Sequence, residues 1–393
     1  TGEDIAFSGD INRSLKGSNY LVTETTAQTI GWDSAGQFPP YDGQLRLAAY
    51  AHILSGADLV GYWHWHSLHY GQETYWKGIL GHDLEPGRAY GEVSRIAGEL
   101  KRIGPALVHL KKKNKVAILY SLDSLHALAA MPFDARTGYI DVLNQFYGAL
   151  YRLGVETDFV YPEDPHFADY ALVVVPPLYI ADDGLLGKLA DYVKGGGRVL
   201  AAFKSGFCDE NATVRATRAP GPLREACGFT YQEFTNLHEP LALKGDPFKA
   251  GEGNRVSLWA EFLKPETSRP LAFYDHPVFG AYPAITRNEF GRGVLIYEGT
   301  YPAAALQEKI VAAALAEAGI APADGPLPQG VKAKHAVLAD GAAVHAYFNF
   351  SASAKELTYR HAAGRDLITG TAVAASGRVV LAPWDLVIIR EER

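Results

Sequence analysis

Short β-rich runs and longer helical runs of hydrophobic residues alternate along the first hundred positions. The best helical pattern covers 44–54, where leucines and alanines recur at helical spacing and Ser55-Gly56 follows as a stop signal. A strand, a long loop and a helix that occur twice in succession are typical of a parallel β-sheet with helical connections. The pattern predicts helices at 5–15, 44–54 and 91–103, and strands at 20–24 and 58–65.

The same alternation starts again at Val116, after a lysine-rich run that we interpret as a linker. The wholly apolar run 171–175 is typical of a central parallel strand. We therefore predict a second α/β domain of flavodoxin-like order that extends to about residue 320. Over the last seventy residues the apolar runs become short and alternating, as at 344–349 and 378–381, which predicts a small antiparallel β domain.

Composition narrows the class of protein without identifying a reaction. The 393 residues suffice for two or three domains, and 48% hydrophobic with 21% charged residues is ordinary for a globular chain. A net charge of −7 argues against nucleic acid or an anionic membrane as a partner, and no apolar run reaches the ~18 residues of a membrane span. Two cysteines cannot make a disulfide framework or a four-thiolate zinc site. The chain starts at Thr1 without an apolar leader, so we expect no signal peptide and consider a processed or truncated start.

Tryptophans concentrate in the predicted loops of the first domain. Four of the six, Trp32, Trp63, Trp65 and Trp76, occur within the first 76 residues, among carboxylates, histidines and amides. Ligands bind beyond the carboxyl ends of parallel strands. Aromatic rings mixed with polar groups suit a sugar, whose C–H faces stack on rings while its hydroxyls form hydrogen bonds. The alternative is that these rings fill a core.

Glu24 is the most informative single residue. It follows Leu21-Val22-Thr23 at the end of a strand that we predict to be buried, where a carboxylate is costly unless it has a function. Retaining glycosidases need a fixed carboxylate as nucleophile, beside a second carboxyl that acts first as acid and then as base. One glutamate at a strand end is weak evidence by itself.

Two other groups of residues compete with this interpretation. His64 and His66, two apart on a predicted strand, share a face and with His69 are candidates for metal ligands, although no carboxylate has a matching spacing. Cys208 invites comparison with amidotransferases, which carry a cysteine nucleophile on a strand-to-helix elbow. The segment Gly206–Glu210 lacks the second glycine that such a turn requires, so a buried inert thiol is the favoured interpretation.

A series of short motifs extends with few gaps from about Leu15 to the C-terminus. They are TETTAQ at 23 with a tryptophan at 32, GQLR at 43, SGAD at 55, YWHW at 62, GQE at 71, GILGHD at 78, SG at 205, DEN at 209 and GPLRE at 221. Together they resemble the glycoside hydrolase family 42 β-galactosidases over two unlike domains.

The resemblance assigns roles to particular residues. It implies that Glu24 is the nucleophile and that Trp32 and Glu73 line the subsite for the terminal sugar, with Trp65 and Trp76 as further binding residues. The family usually has a histidine where Trp76 stands, so the identity of the sugar stays open between galactose, arabinopyranose and fucose. Thr25-Thr26 replaces residues that are amides in the family.

The resemblance also implies that part of the enzyme is not in this chain. In the family the nucleophile ends the seventh strand of a TIM barrel of ~250 residues, and only about twenty residues precede Glu24 here. The acid/base glutamate and the zinc-binding cysteines of some members belong to that absent part, so we expect no metal and no cofactor. The implied fold is α/β: the last two βα units of a TIM barrel (1–110), a flavodoxin- or amidotransferase-like trimerisation domain (111–320) and a small β domain (321–393).

We therefore expect a C-terminal portion of a retaining β-galactosidase that is inactive alone. Its expected partners are a galactoside or related oligosaccharide, further copies in a homotrimer, and the N-terminal barrel portion, with the cytoplasm as the location typical of the family. A different class of function stays open, namely a non-catalytic oligomerisation or carbohydrate-binding protein. An amidotransferase-like enzyme that uses Cys208 is a third, weaker hypothesis.

Overall fold

The structure, a computed structural model, describes residues 2–28 and 35–392. It divides into two units, one formed by Thr1–Lys113 together with Ala323–Arg393 and the other by Asn114–Pro322. The first unit therefore joins the two ends of the chain. Among the residues that the structure describes, none of the helices combines the length and hydropathy that a transmembrane span requires.

The first segment of unit 1 repeats the order strand, helix. Its described elements are α1 (Glu3–Leu15), β1 (Tyr20–Thr26), α2 (Gln44–Leu54), β2 (Ala57–Trp63) and α3 (Arg88–Leu107). β1 and β2 pair in parallel, which places Thr25 opposite Tyr62 and Thr26 opposite Trp63. The register shifts between Val22 and Thr25. The predicted helices and strands of this segment are confirmed, except that β2 ends at Trp63 rather than at residue 65 and the last helix is longer than predicted.

Helix α2 is buried on two sides because its apolar residues surround it. Leu45 and Ala49 pack with residues of α3, whereas Leu47 and Tyr50 pack with the C-terminal strands of the same unit. The helix begins after Gly43, which has a left-handed φ of 91°. A Cβ at this position would lie 2.2 Å from the Trp384 carbonyl oxygen, so only glycine fits.

Unit 2 is built on a seven-stranded sheet. Its described elements are β3 (Val116–Leu119), α4 (Leu122–Ala130), α5 (Tyr139–Arg152), β4 (Thr157–Val160), β5 (Leu172–Val175), α6 (Asp183–Lys194), β6 (Arg198–Ala202), α7 (Arg224–Cys227), β7 (Phe229–Thr230), β8 (Phe234–Ala242), β9 (Arg255–Glu261), β10 (Lys264–Pro265), β11 (Arg269–Phe273), β12 (Pro283–Phe290), β13 (Gly293–Glu298), β14 (Thr300–Pro302) and α8 (Ala304–Glu317). The strand order is β11-β12-β13-β6-β5-β3-β4. The five strands from β13 to β4 are parallel, and β12 and β11 add an antiparallel edge.

The parallel strands of unit 2 confirm the α/β prediction, and every residue of β3 and β5 is buried. Helix α4 was not predicted, although Ser121 caps it by accepting a hydrogen bond from the Ser124 amide. The antiparallel strands β8 to β12 were not predicted either. Strand β8 contains a proline and is largely exposed, so no clear alternation marks it.

The C-terminal segment of unit 1 is an antiparallel β structure, as predicted. Its strands are β15 (Val331–Val337), β16 (Ala343–Asn349), β17 (Lys355–Thr358), β18 (Gly364–Asp366), β19 (Ala372–Val373), β20 (Arg378–Leu381) and β21 (Leu386–Glu391). Five of them form a sheet in the order β15-β16-β21-β18-β19, and β17 pairs with β20. The apolar face of the large sheet, with Val344, Phe348 and Ile388, packs on α2 and α3.

A buried ionic cluster joins these layers of unit 1. The Arg46 side chain is 2% exposed, and it pairs with Glu99 of α3 (Nε–Oε2, 2.7 Å) and with Asp385 before β21 (Nη1–Oδ1, 2.6 Å). The Tyr50 hydroxyl donates a further hydrogen bond to Glu99 (3.1 Å). Burial opposes ionisation of Glu99, but the Arg46 guanidinium outweighs it and lowers the pKa of that carboxyl.

Candidate active site

The carboxyl ends of β1 and β2 lie side by side, and Glu24 lies at this edge. Its side chain is exposed, and it lies within the stretch where the strand register shifts. The prediction that the first strand is buried is wrong for this chain. Positions along β1 are exposed or half-buried because β2 is its only strand partner among the described residues. The Glu24 carboxylate is therefore accessible to a ligand.

The long connection after β2 folds back on itself beside this edge. The Ile79 amide donates to the His64 carbonyl (2.7 Å) and the Leu80 amide donates to the Trp65 carbonyl (2.8 Å). The Ser67 hydroxyl donates to the Leu80 carbonyl (2.9 Å). A Cβ on Gly78 would lie 2.4 Å from the His66 carbonyl carbon. The two segments of this loop can therefore approach each other this closely only because residue 78 is glycine.

This loop carries the other predicted sugar-binding residues. Glu73 is exposed, and its carbonyl accepts a hydrogen bond from the Trp76 amide (2.9 Å), so the two residues belong to one turn. Trp65 is 60% exposed and its ring meets Tyr90 edge-on at 6.4 Å between centroids. Trp76 is half-buried. Trp32 lies outside the residues that the structure describes.

His64 interacts electrostatically with both carboxylates of the site, Glu24 and Glu73. Burial lowers the pKa of His64, and so does the neighbouring His66, whereas Glu73 and Glu24 both act on the ring in the opposite direction. His64 is thus within electrostatic range of both carboxylates. Its Nε2 is shielded from solvent and has no hydrogen-bond partner among the described residues. A buried polar atom without a hydrogen-bond partner is one that a hydroxylated ligand could satisfy.

The alternative of a metal site at His64, His66 and His69 assumed that the second strand continues through residue 65. β2 ends at Trp63, so His64 and His66 do not share a strand face. His66 Nδ1 lies 2.8 Å from the Ser67 carbonyl, and His69 Nε2 lies 2.7 Å from the His82 carbonyl. These ring nitrogens fix the loop. The position of His64 near this edge was not predicted, although the alternation of tryptophan and histidine at 63–66 could have suggested it.

Unit 2 does not present Cys208 as a nucleophile. The thiol is buried, and the Cys208 amide donates to the Tyr179 carbonyl (2.9 Å) in an extended segment. The left-handed turn that follows β6 is occupied instead by Lys204, whose φ is 62°. Its ammonium lies 3.9 Å from the centre of the Trp259 ring, in a cage of aromatic side chains. The interpretation of Cys208 as a buried thiol is confirmed.

Three protein-family models match successive parts of the chain. Residues 1–103 match the model described as Beta-galactosidase, and residues 114–321 match the Beta-galactosidase trimerisation domain. Residues 344–391 match the Beta-galactosidase C-terminal domain. These are the models of glycoside hydrolase family 42, and they follow one another in this chain without overlap.

Curated relatives and a solved structure agree with these matches. Beta-galactosidase BgaB of Geobacillus sp. (strain Y412MC61) is 32% identical over 302 residues, which are 76% of this chain and 44% of the relative. Beta-galactosidase Bga of Halorubrum lacusprofundi is 32% identical over 346 residues, which are 84% of this chain and 48% of the relative. The crystal structure of a β-galactosidase from Bacillus circulans sp. alkalophilus has the same fold, with a TM-score of 0.92 over 99% of this chain and 58% of its own, at 24% identity. The chain spans about half the length of the curated relatives that it matches.

Proposed function

Because this chain belongs to the glycoside hydrolase family 42 β-galactosidases, we propose that it supplies Glu24 as the nucleophile of a retaining glycosidase that releases terminal β-D-galactose from β-galactosides. The observation that carries the proposal is the position of Glu24. Its carboxylate is exposed at the carboxyl end of a parallel strand, and both it and Glu73 act electrostatically on His64.

The reaction requires a second carboxyl group. In retaining glycosidases the two carboxyls lie about 5–5.5 Å apart; one attacks the anomeric carbon while the other protonates the leaving oxygen. Glu24 would form the galactosyl ester, which water then hydrolyses with retention of configuration. We assign the acid/base to the barrel portion that precedes these 393 residues in a complete enzyme, and we expect the isolated chain to be inactive.

The sugar subsite is proposed from the residues around Glu24. The Glu73 carboxylate would accept hydrogen bonds from sugar hydroxyls, and His64 Nε2 would exchange a further hydrogen bond with one of them. Trp65 and Trp76, together with Trp32, would stack on the C–H faces of the sugar. Galactose is the sugar named by the relatives, and we adopt it for this chain.

We further propose that the chain works as part of a larger assembly. Two βα units cannot close a barrel, and among the described residues β1 and β2 pair only with each other, so the remaining barrel strands would cover their outer edges. The domain limits that we propose are 1–110, 111–320 and 321–393. The match of 114–321 to a trimerisation domain supports a homotrimer as the assembled state.

A trapping experiment tests the nucleophile directly. The chain would be mixed with the complementary N-terminal barrel segment and incubated with a 2-deoxy-2-fluoro-β-galactoside that has a good leaving group. The fluorine slows both steps, and the leaving group restores the first, so the galactosyl enzyme accumulates. Mass spectrometry of peptic peptides is expected to find the fluorosugar on Glu24 in the mixture and on no peptide of the chain alone.

Glu85→Gln is the matched control for Glu24→Gln. Glu85 is an exposed glutamate of the neighbouring loop, so this variant should be labelled like the unaltered chain. Glu24→Gln should not be labelled. Label on another carboxylate would contradict the assignment of Glu24 as the nucleophile. Hydrolysis of nitrophenyl β-galactoside by the chain alone, if Glu24→Gln abolishes it, would contradict the assignment of the acid/base to the preceding barrel portion.

One observation favours a second candidate function, a non-catalytic carbohydrate-binding module. Trp63 and Trp65 are 46% and 60% exposed, and exposed rings next to carboxylates can bind a sugar without a complete catalytic pair. Saturable binding of galactose by the mixture, with neither labelling nor hydrolysis, would favour this function over the glycosidase.

A further inference from the structure

Three histidines meet on the C-terminal sheet of unit 1, in a place that the proposed glycosidase function does not use. His335 on β15 and His345 on β16 are directly opposite in the antiparallel register. The His361 ring, from the connection between β17 and β18, stacks on His345 with 3.7 Å between ring centres and 10° between planes. One nitrogen of each ring lies within 4.8 Å of one nitrogen of each of the other two.

Each of these histidines directs its Nε2 at a carboxylate. His335 Nε2 lies 2.9 Å from Asp324 Oδ2, and His361 Nε2 lies 2.9 Å from Asp324 Oδ1. His345 Nε2 lies 3.1 Å from Glu391 Oε1. Asp324 is itself buried and accepts a hydrogen bond from the Tyr347 hydroxyl at 2.6 Å. A carboxylate accepts only, so each Nε2 carries the ring proton.

This pattern leaves lone pairs on the other ring nitrogens. With Nε2 protonated, a neutral histidine is an acceptor at Nδ1. Yet His335 Nδ1 and His345 Nδ1 face each other at 2.8 Å. A proton shared between the two nitrogens, or a metal ion bound by both, would satisfy such a pair.

We propose that His335, His345 and His361 bind one Zn²⁺ ion through their Nδ1 atoms. Imidazole nitrogens suit Zn²⁺, and three protein ligands with one open position for water are a common zinc coordination. Zn–N bonds of about 2.1 Å at tetrahedral angles place ligand nitrogens ~3.4 Å apart. Binding therefore requires that the Nδ1 atoms of His335 and His345 separate from 2.8 Å and that the stacked rings of His345 and His361 turn out of parallel. The carboxylates on Nε2 are the outer partners that orient zinc-binding histidines in proteins.

An entry path is also present. Asp324 lines a cavity of about 470 Å³ together with Glu356 and Arg360. The His335 and His361 side chains are partly exposed, whereas His345 is buried beneath them. Because the His335 and His361 side chains are partly exposed, an ion can reach them from solvent without unfolding of the sheet.

The test uses the full 393-residue chain after treatment with a chelator. Calorimetric titration with Zn²⁺ is expected to show one ion per chain, and titration with Co²⁺ is expected to give the visible absorption of a low-coordinate nitrogen site. His361→Ala should weaken Zn²⁺ binding at least 100-fold. Asp324→Asn should weaken it about 10- to 100-fold, because it removes the partner that orients two ligands.

His69→Ala is the matched control, since His69 belongs to the other group of histidines in unit 1 and should leave Zn²⁺ affinity unchanged. If His361→Ala fails to fold, X-ray absorption of the zinc-loaded unaltered chain decides, because three imidazole nitrogens at about 2.0–2.1 Å are required. Absence of stoichiometric binding, which would leave a shared proton as the cation, overturns the proposal. So does loss of binding in His69→Ala but not in His361→Ala, or a zinc shell without three imidazoles.

Discussion

Glu24 and Glu298 both occur near the carboxyl ends of strands that run parallel to a neighbour, yet their surroundings are opposite. Glu24 of β1 is exposed. Glu298 of β13 is buried, accepts a hydrogen bond from the Gln307 amide (2.7 Å), and has its pKa raised to about 8 by burial. One carboxylate can meet a substrate, and the other is held protonated inside a sheet. Position at a strand end therefore does not identify a catalytic group unless its environment is known.

The neighbours of each strand explain the difference. β13 lies between β6 and β12 in a seven-stranded sheet, and all of its residues are buried. β1 has only β2 as a described partner. In unit 2 the sheet buries Glu298 together with the rest of β13, whereas in unit 1 the strand edge that carries Glu24 stays accessible.

The largest expected effect separates these two glutamates by activity. In the enzyme assembled with its N-terminal barrel segment, Glu24→Gln should lower kcat by roughly three orders of magnitude or more, because the amide cannot form the galactosyl ester. Glu298→Gln should leave kcat within about twofold, since it replaces a protonated carboxyl by an isosteric neutral group. Steady-state hydrolysis of nitrophenyl β-galactoside measures both.

An equal loss of kcat in Glu24→Gln and Glu298→Gln would contradict this difference, because it would indicate that both substitutions act through folding rather than through the chemical step. Circular dichroism of both proteins is the control. Azide added to Glu24→Gln gives a second readout: it should not rescue that variant, but it should rescue Glu24→Ala with inverted configuration, since a small anion can enter the space of the lost carboxylate.

The next effect concerns what holds unit 1 together beneath its exposed edge. Arg46→Ala should lower the free energy of unfolding of this unit by about 3–5 kcal/mol, because it removes the buried partner of Glu99 and leaves that carboxylate only the largely exposed Arg95 guanidinium. Arg88→Ala breaks the exposed pair with Asp42 and should cost no more than about 1 kcal/mol. Urea unfolding followed by tryptophan fluorescence compares the two variants; similar values would contradict the assignment of the buried cluster as the main ionic contribution.

Local sequence patterns predicted the elements whose apolar residues repeat regularly. The wholly apolar run of β5 and the helical spacing of α2 identified both elements because their burial depends on neighbours within this chain. The exposed antiparallel strand β8 was missed for the opposite reason, since little of it is buried. The burial of β1 was predicted wrongly because burial depends on strand neighbours that the run Leu21–Thr23 does not encode.

The candidate site was predictable as far as it lies in contiguous motifs. Glu24, Glu73 and the tryptophans of the loop were named from their positions and from resemblance. The electrostatic influence of both carboxylates on His64 was not predicted, because it depends on the end of β2 at Trp63 and on the fold of the following loop. The histidine cluster on β15 and β16 was also missed, since its members are brought together by strand register rather than by sequence spacing.

The buried glutamate of the comparison also predicts a pH dependence. The ordinary pKa of a glutamate is about 4.5, and that of Glu298 in the folded protein is about 8, so between these values the folded state holds a proton that the unfolded state loses. The contribution of Glu298 to the free energy of unfolding is therefore fully present below pH 4.5. It falls by about 1.4 kcal/mol per pH unit as the pH rises toward 8. Amide hydrogen exchange of peptides from β13, at several pH values and corrected for intrinsic rates, measures this slope.

Glu298→Gln is the control for that slope, because its amide does not titrate. In this variant the contribution to the pH dependence should disappear while Gln307 stays in hydrogen-bonding range. A slope that persists unchanged in Glu298→Gln would assign it to other buried groups, such as Glu261, whose pKa burial also raises.

The smallest expected effect concerns the loop that carries His64. Gly78→Ala adds a Cβ that meets the backbone of His64 and His66 within 2.5 Å, so the hydrogen bonds from Ile79 and Leu80 must lengthen. Exchange of these two amides should accelerate about tenfold, which corresponds to ~1.4 kcal/mol. Gly91→Ala is the matched change, because that glycine is exposed on α3 with no atom within 4 Å of an added Cβ; it should stabilise α3 by about 0.5–1 kcal/mol. If Gly78→Ala instead leaves the Ile79 and Leu80 amides as protected as before, the close contact of Gly78 with the backbone of His64 and His66 is not what holds this loop in place.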